Sequence, residues 1–198
     1  MTMTTVIILA AGKQVRNKSG IPKQLFEFNG ETLLQRMVRQ FSGPSMDIRL
    51  MAWDERLKTD GARFHVPYGR RWTVETLFCS QPFWTTASYT HRNIVLLGDV
   101  YYSDLTAEAI LSNPSPFVCY QREHETYAFV FSKHYEWEVS DMLRDMIQKA
   151  ERGKRWTQHK LGTLCKRLGV PSVTVSDETQ DFDTYEDYEQ AKLSLPVR

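Results

Sequence analysis

Apolar residues along this chain fall into two kinds of pattern, short unbroken runs and stretches in which they recur every three or four positions. Val6 to Ala10 is an unbroken, partly β-branched run that ends at Gly12, the pattern of a central parallel strand buried on both faces. Polar Lys13 to Gly20 reads as a loop. From Thr32 to Phe41 the residues Leu33, Leu34, Met37, Val38 and Phe41 recur at helical spacing, and Gly43-Pro44 supplies the stop. Ile48, Leu50 and Ala52 alternate with polar neighbours as a second strand, Thr73 to Cys79 reads as a short helix, and Asn93 to Leu97 is another buried strand that ends at Gly98-Asp99.

A helix over Leu105–Leu111 then leads to candidate strands Phe117–Gln121 and Tyr127–Ser132, whose closeness predicts one antiparallel pairing in an otherwise parallel sheet. Amphipathic helices follow over Trp137–Ala150 and Thr157–Leu168. The second places Leu161, Leu164, Cys165 and Leu168 on one face and stops at Gly169-Val170-Pro171. Val173–Val175 is a short strand, and Thr184 with Asp187 forms a capping-box pattern that opens a last helix. The order of elements is that of an α/β fold, and the length of 198 residues suits a single domain over residues 1–198.

Composition adds mainly exclusions. A formal net charge of +1 implies no basic field suited to nonspecific nucleic-acid binding. No stretch approaches the ~20 apolar residues of a membrane-spanning helix, so the expectation is a cytoplasmic protein with no membrane partner, as a monomer or homodimer. Cys79, Cys119 and Cys165 are far apart, odd in number and set in apolar patterns, which predicts buried thiols rather than a disulfide framework or a zinc site. His65, His91, His124, His134 and His159 show no metal-ligand spacing and read as surface or structural residues.

Candidate chemistry begins at Leu9-Ala10-Ala11-Gly12. A buried strand followed at once by a small-residue turn sets backbone N–H groups at the carboxyl edge of the sheet, where open α/β folds bind ligands. Arg16 and Lys23, the latter after Pro22, add two cations suited to a polyphosphate, although a merely solvated loop is the competing reading. Asp99 closes a buried strand with a carboxylate, a feature of a hard divalent cation site or of a simple turn cap. Asp181 and Asp183 share a face if extended, just before the last helix.

Leu9-Ala10-Ala11-Gly12-Lys13-Gln14-Val15-Arg16, followed by Ile21-Pro22-Lys23-Gln24-Leu25, resembles the signature of the sugar-phosphate nucleotidylyltransferase family, LAAGxGxR and then PK. The segment Asp181-Phe182-Asp183-Thr184-Tyr185-Glu186-Asp187-Tyr188 resembles that family's late DIDTPEDL segment. What the resemblance implies is a Rossmann-like three-layer α/β/α fold with a mixed, mostly parallel central sheet containing one antiparallel strand. It also implies a nucleoside triphosphate whose α-phosphorus is attacked by a phosphorylated small-molecule acceptor, with Mg²⁺ as cofactor and pyrophosphate as the leaving group.

Carried over by position, Gly12 lies against the phosphates, Arg16 grips the β/γ portion, Lys23 stabilises the transferring α-phosphate, and the backbone from Leu9 through Ala10 to Ala11 meets the base. Lys13, Gln14 and Gly98 complete the implied nucleotide contacts, and Thr73 and Thr76 fall where the family uses small polar residues near the base. Arg16, Lys23 and Asp99 are the implied catalytic residues, and Asp99, Asp183 and Asp181 the implied metal ligands. Tyr101, Tyr102, Tyr120, Tyr127, Trp137 and Trp156 are candidates to flank the acceptor, with core or rim packing as the plainer role. Gln14 stands where the signature has its second glycine. That departure keeps a second expectation open, a noncatalytic nucleotide sensor or scaffold with a degenerate loop.

Overall fold

The fold is taken from a computed structural model of the chain, which describes residues 3–12, 19–68, 72–84, 91–153 and 160–194. Lys13, Gln14, Arg16, Trp156, His159 and the first residues of the helix expected over Thr157–Leu168 lie outside the described residues.

In chain order the elements are β1 (Thr4–Leu9), β2 (Glu27–Phe28), β3 (Glu31–Thr32), α1 (Leu33–Phe41), β4 (Met46–Met51) and β5 (Arg63–His65). There follow α2 (Thr73–Cys79), β6 (Arg92–Leu97), β7 (Val100–Tyr101), α3 (Asp104–Ser112), β8 (Phe117–Arg122) and β9 (Glu125–Ser132). The chain continues with α4 (Glu136–Gly153), α5 (Leu161–Leu168), β10 (Ser172–Thr174), β11 (Gln180–Asp181) and α6 (Tyr185–Ser194).

Seven strands form one sheet in the order β10-β8-β9-β6-β1-β4-β5. β9 runs antiparallel to both of its neighbours, β8 and β6, while the remaining pairs are parallel. This is the expected mixed, mostly parallel sheet with a single antiparallel strand.

Because successive strand residues point to opposite faces, β1 feeds two cores. Val6 and Ile8 pack with Leu34, Met37, Val38 and Phe41 of α1 and with Ala107 and Ile110 of α3. Ile7 and Leu9 pack on the other face with α2, α4 and α5, through Val74, Leu77, Val139, Leu143, Met146 and Leu164. The result is three layers. α1 opens with a capping box in which the Thr32 hydroxyl accepts from the Gln35 N–H and the Gln35 side chain accepts from the Thr32 N–H, an arrangement worth about 1 kcal/mol. The box expected at Thr184 and Asp187 is present as well: the Asp187 carboxylate accepts from the Thr184 N–H and the Thr184 hydroxyl from the Asp187 N–H.

Candidate active site

The site grows from the parallel register of β1 and β6. Leu9 pairs with Leu97, so both strands end at one edge of the sheet and release the Gly12 turn and Gly98-Asp99 side by side. Gly98 makes that approach possible. Its N–H donates to the Leu9 carbonyl, and a Cβ at this position would stand 3.0 Å from both the Leu9 oxygen and the Ala10 Cβ.

The remote carboxylates arrive by a short ladder. β11 pairs antiparallel with β7, Asp181 facing Val100, and the Phe182 N–H donates to the Asp99 carbonyl. Side chains then fix the ladder. Phe26, Phe28, Tyr101, Phe182 and Tyr188 form a separate apolar cluster, with Phe26 stacked on Tyr188 at 4.4 Å between ring centroids. This cluster draws together the three segments that carry Lys23, Asp99 and Asp181–Asp183. A polar knot adds to it: the Asp177 carboxylate accepts from the Ser103 and Thr106 hydroxyls and from the Thr179 N–H, and the Thr179 hydroxyl accepts from the Ser103 N–H. Burial alone would push the Asp177 carboxyl up; the hydrogen bonds from Ser103, Thr106 and Thr179 outweigh it and hold the carboxyl below the usual aspartate range.

Lys23 sits in a 3-10 turn just before Phe26, with its side chain 5% exposed. Its ammonium lies 3.4 Å from an Asp99 oxygen and 3.8 Å from an Asp183 oxygen, so one buried cation bridges the two carboxylates that sequence reasoning paired. Asp181 stands beside them. Burial, followed by the like charges of Asp99, Glu125 and Asp183, pushes its carboxyl up to about 6. Crowded carboxylate oxygens of this kind suit a hard divalent cation such as Mg²⁺, whose other ligands are typically substrate phosphates and water. Among the described residues no group of three or more His, Cys, Asp or Glu is placed to hold a metal ion by itself.

These groups face a cavity of about 1300 Å³, large enough for a nucleotide and a second small molecule together. Leu9, Ala11, Gly12, Lys23, Thr73, Thr76, Asp99, Asp181 and Asp183 all line it. Ala10 and Gly98 do not: Ala10 is packed into the core beneath the sheet edge, and Gly98 serves the close approach of β6 to β1. Tyr101, Tyr102, Tyr120 and Tyr127 are buried and Trp137 is exposed on α4, and none of these lines the cavity. The Tyr102 hydroxyl donates to the Tyr127 carbonyl and accepts from the Leu97 N–H, so these residues take the core role.

Several lining residues escaped sequence reasoning. Trp72, directly before α2, is 42% exposed on the cavity wall, and its only sequence signal was adjacency to Thr73. His124, expected to be a surface or structural residue, lines the cavity with its neighbour Glu123 in the β8–β9 turn and with Glu125 and Thr126 at the start of β9. Lys160 and Thr163 at the start of α5 line the cavity as well. A polar hairpin turn carries no chemical signature, so pattern alone could not assign these residues to a site.

A scan against protein-family models finds no match, and a search of curated proteins likewise finds none. Solved structures do match. The CTP:phosphocholine cytidylyltransferase of Streptococcus pneumoniae is similar with a TM-score of 0.67 and 13% identity, over 98% of this chain and 100% of that one. The 2-C-methyl-D-erythritol 4-phosphate cytidylyltransferase of Francisella tularensis matches with a TM-score of 0.62 and 15% identity, over 98% and 100%. A UDP-glucose pyrophosphorylase matches with a TM-score of 0.68 and 8% identity, over 98% of each chain. Identities this low speak for architecture, and the chain has the fold of the sugar-phosphate nucleotidylyltransferases.

Proposed function

We propose that the chain is an Mg²⁺-dependent nucleotidyltransferase that joins a nucleoside triphosphate to a phosphorylated small molecule and releases pyrophosphate. The observation that carries this reading is the convergence of Lys23, Asp99 and Asp183, from three remote segments, on one cavity beside the Gly12 turn.

The proposed division of labour carries the roles implied by the resemblance onto this geometry. The nucleotide enters along Leu9, Ala11 and Gly12, with Thr73 and Thr76 of α2 on the base side of the cavity. Lys23 neutralises charge on the α-phosphate while a phosphate oxygen of the acceptor forms the new bond to phosphorus. The bond from that phosphorus to the bridging oxygen breaks, and its electron pair leaves with pyrophosphate. Asp99 and Asp183, with Asp181 beside them, would hold Mg²⁺. When bound, that ion supplies countercharge to the polyphosphate as the leaving group develops. No covalent intermediate on the enzyme is needed, because positioning and charge neutralisation supply the catalysis. In this scheme Lys13, Gln14 and Arg16 act on the triphosphate tail.

Pyrophosphate release tests the reading, measured with each common nucleoside triphosphate over a panel of sugar 1-phosphates, alditol phosphates and phosphocholine, with Mg²⁺ and with a chelator. Release that needs one nucleotide, one acceptor and the metal supports it. Tight nucleotide binding without release over the whole panel would instead establish the noncatalytic sensor.

A further inference from the structure

We infer that Trp72 is the stacking platform for the nucleobase, an inference that rests on the nucleotidyltransferase reading and assigns its base side to one side chain. The cavity has two walls, one on each side of the carboxylates. α2 packs on β1 and α5 on β9, and β6 runs between β1 and β9 in the sheet. Asp99, two residues beyond β6, therefore stands between the two walls.

The walls differ in chemistry. The start of α5 is pressed onto the β8–β9 hairpin, where a Cβ on Gly162 would stand 2.9 Å from the Thr126 hydroxyl, and the lining there carries the charged residues Glu123, Glu125, Lys160 and Lys166. Such groups suit a polar, charged acceptor. Beside α2 the described lining is uncharged, with Leu9, Ala11, Gly12, Thr73 and Thr76 around Trp72. A flat, neutral nucleobase enters a wall of that kind without desolvating a charge. A nucleotide with its α-phosphate at Lys23 and Asp99 thus turns its base toward α2 and leaves the charged wall to the acceptor.

Trp72 is anchored by its main chain and left open at its ring. Its backbone is extended, φ −100° and ψ 154°, and its carbonyl accepts from the Thr76 N–H at 2.8 Å, which sets Trp72 one turn from Thr76. Val74 and Leu77 of the helix are fully buried in the core, whereas Trp72 is 42% exposed. Among the described residues that line the cavity it is the only Trp, Tyr or Phe. Trp84 is the contrasting case: buried, it packs edge-on against Phe131 and donates its indole N–H to the Ser80 hydroxyl. A half-open indole in a concave, uncharged wall offers its π face to a flat ligand.

The test uses the full chain with Mg²⁺ and ATP, CTP, GTP or UTP in turn, with binding followed by calorimetry. For the nucleotide that wild type binds most tightly, Trp72→Ala should weaken binding about 10–100-fold, the size of one base–aromatic stack, and Trp72→Phe should recover most of it. Inorganic triphosphate, which has no base, should bind wild type and Trp72→Ala alike. In turnover the nucleotide KM should rise by the same factor, with kcat and the acceptor KM held within about 2-fold. Trp137→Ala, the same change at an exposed indole that does not line the cavity, should bind as wild type does. If Trp72→Ala does not fold, fluorescence decides: the nucleotide should quench the tryptophan emission of wild type, and Trp72→Phe should lose most of that quenching while it still binds. Equal nucleotide affinity in wild type and Trp72→Ala, an equal loss for inorganic triphosphate, or a loss of acceptor affinity in place of nucleotide affinity would overturn the inference and leave the nucleotidyltransferase reading standing. A wild-type chain that binds no nucleoside triphosphate would remove that reading, and the stack with it.

Discussion

The ammonium of Lys23 stands 3.4 Å from the Asp99 carboxylate, although helices α1 and α2 and strands β2 to β6 lie between the two residues in the chain. The Lys23 side chain is nearly sealed from water, whereas those of Asp99 and Asp183 remain 37% and 43% exposed toward the cavity. A buried cation between two half-open carboxylates leaves the carboxylate oxygens reachable for a ligand, and it makes the removal of each partner inform on a different function.

Asp99→Asn keeps the size of the side chain and leaves Lys23 paired with Asp183. Its expected cost in stability is no more than about 1–3 kcal/mol, with an unchanged far-ultraviolet circular dichroism spectrum. Turnover should fall by at least ~10²-fold. Pyrophosphate release near the wild-type rate would remove Asp99 from the mechanism.

Lys23→Ala tests the other side of the contact. The variant should lower kcat by ~10²–10³-fold while KM for the nucleotide shifts only a few-fold, because the charge is needed most as the leaving group departs. Equal losses in kcat and in nucleotide affinity would reduce Lys23 to a binding residue.

Asp181 predicts a pH signature in the ligand-free protein. Its carboxyl is raised, so the folded state holds the proton more tightly than the unfolded chain does. Stability is therefore lost as pH climbs from the ordinary value of 3.8 through about 6. Asp181→Asn has no charge to accommodate. Its thermal midpoint should gain on the wild type across that window and keep a constant lead above it; a lead that does not vary with pH would contradict the assignment.

Phe182→Ala should cost about 3–5 kcal/mol, since Phe182 is 1% exposed within the cluster that joins the Lys23, Asp99 and Asp183 segments. Urea denaturation gives the loss in stability, and assays well below the melting temperature should still show reduced turnover, because the ladder that carries Asp181 loses its anchor. Phe182→Leu should recover most of both.

How far the chain could be read in advance follows from where its signals lie. The continuous apolar run of β1, the Thr73–Cys79 helix and the capping box at Thr184 were legible because each is decided by neighbouring residues. β5 was missed, since Arg63-Phe64-His65 at the sheet edge offers a single apolar side chain. β7 and β11 are two residues each and owe their existence to the cluster around Phe182 rather than to local preference. The carboxylates of the site were found through resemblance, and their spacing alone would have left Asp99 a turn cap.

A crystal grown with a nucleoside triphosphate and Mn²⁺ in place of Mg²⁺ locates the cation by its anomalous signal. The site built by Lys23, Asp99 and Asp183 predicts a single strong peak bound by oxygens of Asp99 and Asp183 and by the triphosphate, with Lys23 against the phosphates. A triphosphate seated elsewhere, or an ion bound without either aspartate, would contradict it.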